Sequence, residues 1–171
     1  MRETPQEYTK RILGYQAGKN PLEVQQDTAK KIERLIEGVP KKKLMTRPEP
    51  GKWSVGEILA HLADTELVGG FRMRLILGEN GATIQAFDQD EWAEKLNYRK
   101  RDPQKSLKTF RALRGNNLSL LTSLPAPMWE NFGMHTERGK ETVTRIVEMF
   151  AGHDINHLTQ IERIVARKRK K

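Results

Sequence analysis

An all-α fold, a four-helix bundle with short accessory helices, is what this sequence predicts, and three observations predict it. Helix-start signals recur along the 171 residues: Thr4-Pro-Gln-Glu7, Asn20-Pro-Leu-Glu23, Ser54-Val-Gly-Glu57 and Asp88-Gln-Asp-Glu91 each place an N-cap side chain three residues ahead of a glutamate able to return the hydrogen bond, and Asp102-Pro103 gives a fifth start. No segment between turn signals sustains the apolar-polar alternation of a half-buried strand, so no strand is predicted. Four segments, at about 21 to 37, 54 to 78, 103 to 123 and 142 to 168, are long enough to form a bundle, an architecture that builds metal and ligand sites from side chains on facing helices.

The elements follow in chain order. A short helix at 5 to 17 opens on Pro5 and stops at Gly18, and the helix at 21 to 37 opens on Pro21 and stops at Gly38. The helix at 54 to 78 is capped by Ser54, with Glu57 completing the capping box and Trp53 and Ile58 placed as its hydrophobic staple. Capping, rather than orientation of His61, is the role read for Glu57. Val55, Ile58, Leu62, Thr65 and Ile76 form its inward stripe. Gly69-Gly70 costs up to ~1 kcal/mol per residue inside a helix, so the pair marks either a kink or a close helix crossing. A short helix at 89 to 97 precedes the helix at 103 to 123, which Pro125 and Pro127 end. The helix at 142 to 168 carries Val143, Ile146, Val147, Phe150, His157, Leu158, Ile161, Ile164 and Val165 on one face. The loops at 39 to 52 and 124 to 141 are too short to separate domains, so one domain over 1–171 is expected, with a basic tail at about 166–171.

Composition narrows the chemistry. There is no cysteine, which removes disulfides, thiolate ligands and a cysteine nucleophile, and any thiol reaction must use an external thiol. The net charge of +9 sits in Lys41 to Lys43, Arg99 to Arg101 and the terminal run, without interleaved aromatics, so it supports solubility more than nucleic-acid binding. The N-terminus has no apolar core of a signal peptide, and no stretch approaches the ~18 apolar residues of a membrane span. The expectation is a soluble, cytoplasmic protein with no membrane partner.

Three of the four histidines carry the functional reading. His153 and His157 stand four apart, on one helix face roughly 5–6 Å apart between Cβ atoms, and the helical wheel turns them inward. His61 lies beside Ile58 and Leu62 on the other helix. If the two helices pack face to face, three neutral nitrogens meet inside the bundle, and three protein ligands leave a tetrahedral cation one open position, as catalytic zinc sites do. A single inward histidine is otherwise explained as a hydrogen-bonded core residue. The metalloprotease helix motif is weak here, because Asp154 stands where its glutamate would be. Asp154 falls on the apolar face, where it requires a histidine or arginine partner, and is the candidate to orient a ligand. Asn156 and Gln160 read as helix-surface or helix-contact residues, and His135 as part of a mobile loop.

Trp53 to Asp64, His135 to Gly139 and His153 to Ile161 carry a further signal. Through them, and over about Pro48 to Ile164, the chain resembles the DinB-like superfamily of bacterial proteins, which includes YfiT-like metal-dependent hydrolases and thiol-dependent S-transferases. The resemblance implies a four-helix bundle whose metal ligands are His61, His153 and His157. It implies nickel or zinc, with manganese or iron as the other divalent choices, and a homodimer. It also implies a small-molecule substrate and, for the transferases, a low-molecular-weight thiol such as bacillithiol or mycothiol.

The reading is therefore a metal-dependent enzyme, thiol S-transferase or hydrolase. Its alternatives are a non-catalytic metal-binding helical interaction protein and, further off, a nucleic-acid-binding protein. Phe71, Leu75 and Leu77, on the outer side of their helix, are the candidate dimer surface.

Overall fold

The computed structural model describes residues 3–167. The basic tail at about 166–171 lies, from Lys168 onward, outside the described residues.

Every N-cap read from sequence is made. α1 (Pro5–Gln16) and α4 (Val55–Gly78) carry full capping boxes from Thr4–Glu7 and Ser54–Glu57. Asn20 and Asp102 cap α2 (Pro21–Ile36) and α6 (Pro103–Thr122) through their side-chain oxygens. Asp88 caps α5 (Gln89–Lys95), and Thr142 caps α7 (Val143–Ala166). Gly18 and Gly38 take positive φ, 74° and 69°, just past the helices they end, as predicted for left-handed stops.

α2, α4, α6 and α7 form the bundle. α2 packs against α6 and α7, and α4 packs against the same two, so the helices are ordered around a ring in which sequence neighbours α2 and α4 stand on opposite corners. α1 lies on the outside of α7. Gly152 permits that approach: a β-carbon there would sit 2.0 Å from the Ile12 carbonyl oxygen. Of the two readings for Gly69-Gly70, the close crossing is the observed one, since α4 runs unbroken. A β-carbon on Gly69 would meet the Phe150 ring of α7 at 2.1 Å, and one on Gly70 would meet Asn117 of α6 at 2.5 Å.

The structure corrects the sequence reading in the loops. The segment 39 to 52 contains a one-turn helix, α3 (Lys41–Met45). Strands are present: β1 (Thr83–Ile84), β2 (Phe132–His135) and β3 (Gly139–Thr142) make a small sheet ordered β1-β2-β3, with β1–β2 parallel and β2–β3 antiparallel. Strands of two to four residues are too short for a period-two pattern to develop, which is why periodicity does not find them. His135 is accordingly not on a mobile loop. It lies buried on β2, its Nδ1 accepting from the Glu137 amide at 3.2 Å, and burial, reinforced by Arg138, pushes it down to about 4.

Two apolar clusters stack along the bundle axis. One gathers Ile32, Ile36, Val55, Leu59, Phe110 and Ile161; the other gathers Met73, Ile76, Ile84, Leu121, Val143 and Ile146. A buried polar layer completes the interior: His61, Glu66, Arg114, Asn117, His153, Asp154 and His157 are all less than a tenth exposed. Arg114, on α6, ties the layer together by pairing with Asp154 of α7 at 2.5 Å and Glu66 of α4 at 2.8 Å, and by donating to the Gln25 carbonyl of α2 at 2.9 Å.

Candidate metal centre

α4 and α7 bring the three histidines to one point. Nε2 of His153 lies 2.9 Å from Nε2 of His61 and 3.1 Å from Nε2 of His157, and the three possible donor atoms all lie within 4.8 Å of one another. The two residues of α7 are one turn apart, as their spacing requires, and His61 reaches them from a helix 92 positions earlier.

The donor set fits a cation. Tetrahedral zinc with Zn–N of ~2.0–2.1 Å has its nitrogens about 3.3 Å apart, close to the spacings seen. Neutral imidazoles facing tip to tip can share one proton between two rings, which leaves the third lone pair without a partner; one cation answers all three. The outer nitrogens are arranged to leave the tips bare. Gln160 Oε1 is 3.0 Å from Nδ1 of His157, and an amide oxygen only accepts, so it places that ring's proton on Nδ1 and the lone pair on Nε2, while Thr65 Oγ1 lies beside the His61 ring, 3.4 Å from Nδ1 and 3.5 Å from Nε2. Burial, followed by the neighbouring imidazoles, holds His61 and His153 well below their usual range, and burial pushes His157 down to about 4. At neutral pH all three are uncharged, the form that ligates.

The surroundings separate the candidates. Asp154 finds an arginine rather than a histidine: Arg114 engages both of its oxygens, at 2.5 and 3.1 Å, so the carboxylate braces α7 against α6 and makes no hydrogen bond to an imidazole among the described residues. Glu57 is used by Ser54 and Arg47, the capping role read for it, and not by His61. Trp53 does more than staple the helix, as its ring lies 5.0 Å from that of His61. Gln160 was read as a helix-surface or helix-contact residue and Thr65 as part of an inward stripe; their place beside the histidines was not read, although the signal was available: each stands one helical turn beyond a candidate ligand, at i+3 and i+4.

Two cavities flank the cluster. One of about 550 Å³ reaches His153 and His157 and is lined by Trp53, Tyr8 and Arg11; the other, of about 500 Å³, reaches His61 and His153 beside Thr65, Phe87 and Phe150. Tyr8 of α1 lines both.

Comparison with known proteins bears on this arrangement. The family model of the DinB superfamily matches residues 26–161, which contain all three histidines, the whole of α4 and α7 as far as Ile161. The chain belongs to the DinB superfamily. Within it, the chain is similar to a protein of Oceanobacillus iheyensis, 27% identical over 143 residues covering 84% of this chain and 83% of that one. It is likewise similar to YfiT of Bacillus subtilis, 26% identical over 147 residues covering 83% and 82%. Both carry the name "Putative metal-dependent hydrolase". The solved structure of Bacillus subtilis YfiT, described as having an unusual four-helix bundle topology, superposes with a TM-score of 0.75 over 95% of this chain and 91% of that one, at 24% identity. This likeness shows the DinB bundle fold. Among the described residues no helix is long and apolar enough to cross a membrane.

Proposed function

We propose that the chain, a single DinB-like domain over 1–171, is a metal-dependent enzyme acting on a small molecule, with His61, His153 and His157 holding one divalent ion, nickel or zinc. The observation that carries this reading is the meeting of three neutral, buried imidazole tips at the junction of two cavities. A divalent ion held there would supply Lewis acidity, polarising a carbonyl or lowering the pKa of water or a thiol that it binds. The chain's own contribution is positional. Gln160 sets the His157 tautomer, the glycine pair on α4 lets α7 approach, and the Arg114 network holds α4 and α7 at a set distance.

The relatives' names support hydrolysis, in which water is the second reactant. A thiol transfer is the second reading, and the pair of cavities favours it: both reach His153, which gives each of two reactants its own approach. With no cysteine in the chain, that thiol must come from outside.

Elemental analysis after dialysis tests the metal centre. About one divalent ion per chain is expected, and alanine at His153 and His157 removes it while helical circular dichroism is retained. Full occupancy in the double variant overturns the ligand assignment. Ester and amide hydrolysis, and thiol addition to an electrophile, are then assayed with the native metal restored.

A further inference from the structure

The larger cavity carries an uneven charge. Four of its lining residues are basic, Arg11, Lys52, Arg163 and Arg167, against the acidic Glu49 and Asp90. Two of the four are already engaged: Glu3 clamps Arg11 through two contacts of 2.8 Å, and Glu49 holds Arg167 at 2.8 Å. Lys52 and Arg163 line the same cavity and have no ion-pair partner among the described residues.

Arg163 also belongs to a pattern. Asn156, Gln160 and Arg163 follow one another at spacings of four and three on one stripe of α7, Arg167 stands at its C-cap just beyond, and all four line this cavity. The stripe begins beside the histidines and ends in cations. At 1.5 Å per residue, Arg163 stands about 9 Å along the helix from His157, a distance its own side chain shortens. Trp53, Ile58 and Ile164 supply an apolar wall between the two ends. The smaller cavity has the opposite balance, with Glu3, Asp88, Asp90 and Glu137 against Arg72 and Arg138.

We infer that the larger cavity is the binding site for a small organic acid, whose carboxylate is taken by Arg163 and Lys52 while its other end reaches the histidine cluster at His153 and His157. The inference rests on the metal-centre reading above and adds the class of substrate. A short acid fits both the polar stripe and the apolar wall. An uncharged molecule would leave the two cations without an anionic partner.

The test uses the full chain loaded with cobalt(II) and two thiols of similar size, mercaptosuccinate and neutral 1-thioglycerol. Because the chain has no cysteine, any sulfur-to-cobalt charge-transfer absorption belongs to the added thiol. Mercaptosuccinate is expected to bind about tenfold more tightly than 1-thioglycerol at low salt, with the preference shrinking as salt is raised. The double variant Arg163→Gln/Lys52→Gln reduces it to about twofold. Lys30→Gln/Lys108→Gln, which removes two exposed charges that line neither cavity, leaves it unchanged. Equal affinity for the two thiols, or an equal loss in both double variants, overturns the acid site while leaving the metal centre standing. Failure to bind cobalt at all sinks the metal reading and this one with it.

Discussion

Replacing Arg114 with methionine removes the cation from a layer that has no other. Arg114 is 3% exposed and faces Asp154 at 1% and Glu66 at 1%, with its guanidinium 4.7 Å from the Phe110 ring. Methionine fills much of the volume but leaves two buried carboxylates without their partner, a change that costs about 3–5 kcal/mol. For a chain of this length each kcal/mol moves the midpoint by ~2–4 °C, so the metal-free Arg114→Met variant should melt about 6–20 °C below the parent by calorimetry. The pH dependence has a definite sign. Burial raises the Asp154 carboxyl above its ordinary value and Arg114 opposes that rise, so without the arginine it rises further. A group with a raised folded value lends stability below its unfolded range and loses it as pH climbs through the folded value, so the deficit is smaller at pH 5 than at pH 8. Replacing all three groups with apolar side chains, Arg114→Met with Glu66→Met and Asp154→Leu, should restore the midpoint or exceed it, since a buried ion network is often no more stable than a packed apolar one. A single variant that melts within about 3 °C of the parent refutes the reasoning, because the carboxylates would then have found solvent or another partner.

Three further outcomes are expected. His157, about 4 in the folded chain against an ordinary 6.5, contributes stability that is full above pH 6.5 and lost as pH falls towards 4, about 3 kcal/mol from this group alone; urea titrations of metal-free protein across that window should show the decline, and His157→Gln should flatten part of it. Gly152→Ala drives a β-carbon onto the Ile12 carbonyl, so amide exchange in α1 should accelerate by about fivefold or more while α2, α4 and α6 stay protected, at a cost of about 1–3 kcal/mol; a fully protected α1 contradicts this. Phe71 and Leu67, 64% and 56% exposed on α4, are proposed to be covered by a second copy: light scattering should give twice the 19.7 kDa chain mass and return to one chain in Leu67→Ser/Phe71→Ser, and a monomeric parent at micromolar concentration ends the proposal.

The bundle was legible in the sequence because its helices announce their own ends. Ser54 with Glu57, Thr4 with Glu7 and the glycines at 18 and 38 are local signals, and local physics is what a single sequence displays. The meeting of the three histidines was legible for a similar reason, since the 153/157 spacing and the helical wheel of His61 turn all three rings inward without reference to any third element. What was not legible depended on tertiary context. β1 pairs with β2 across some fifty residues in strands too short to show a period, and His135 was mistaken for a loop residue because its burial comes from that pairing. Asp154 required a partner, but Arg114 could be named only after α6 was seen to pass behind α7. Leu77, read as an outward residue, instead packs on the cluster around Ile76 and Val147, a choice set by the direction from which α6 and α7 approach.

The order of helices around the ring has a consequence for how the protein acquires its ion. His61 and His153 are 92 positions apart, and the helix that joins their two supports at the polar layer, α6, lies between them in sequence. Closing so long a loop is entropically costly and therefore late. A growing chain that has completed α4 and α6 owns one imidazole and a half-formed carboxylate–arginine layer; only when α7 docks do the other two donors arrive, together. Loading thus reports completed folding: the nascent chain offers no three-nitrogen site to a passing cation, and the finished one offers it all at once.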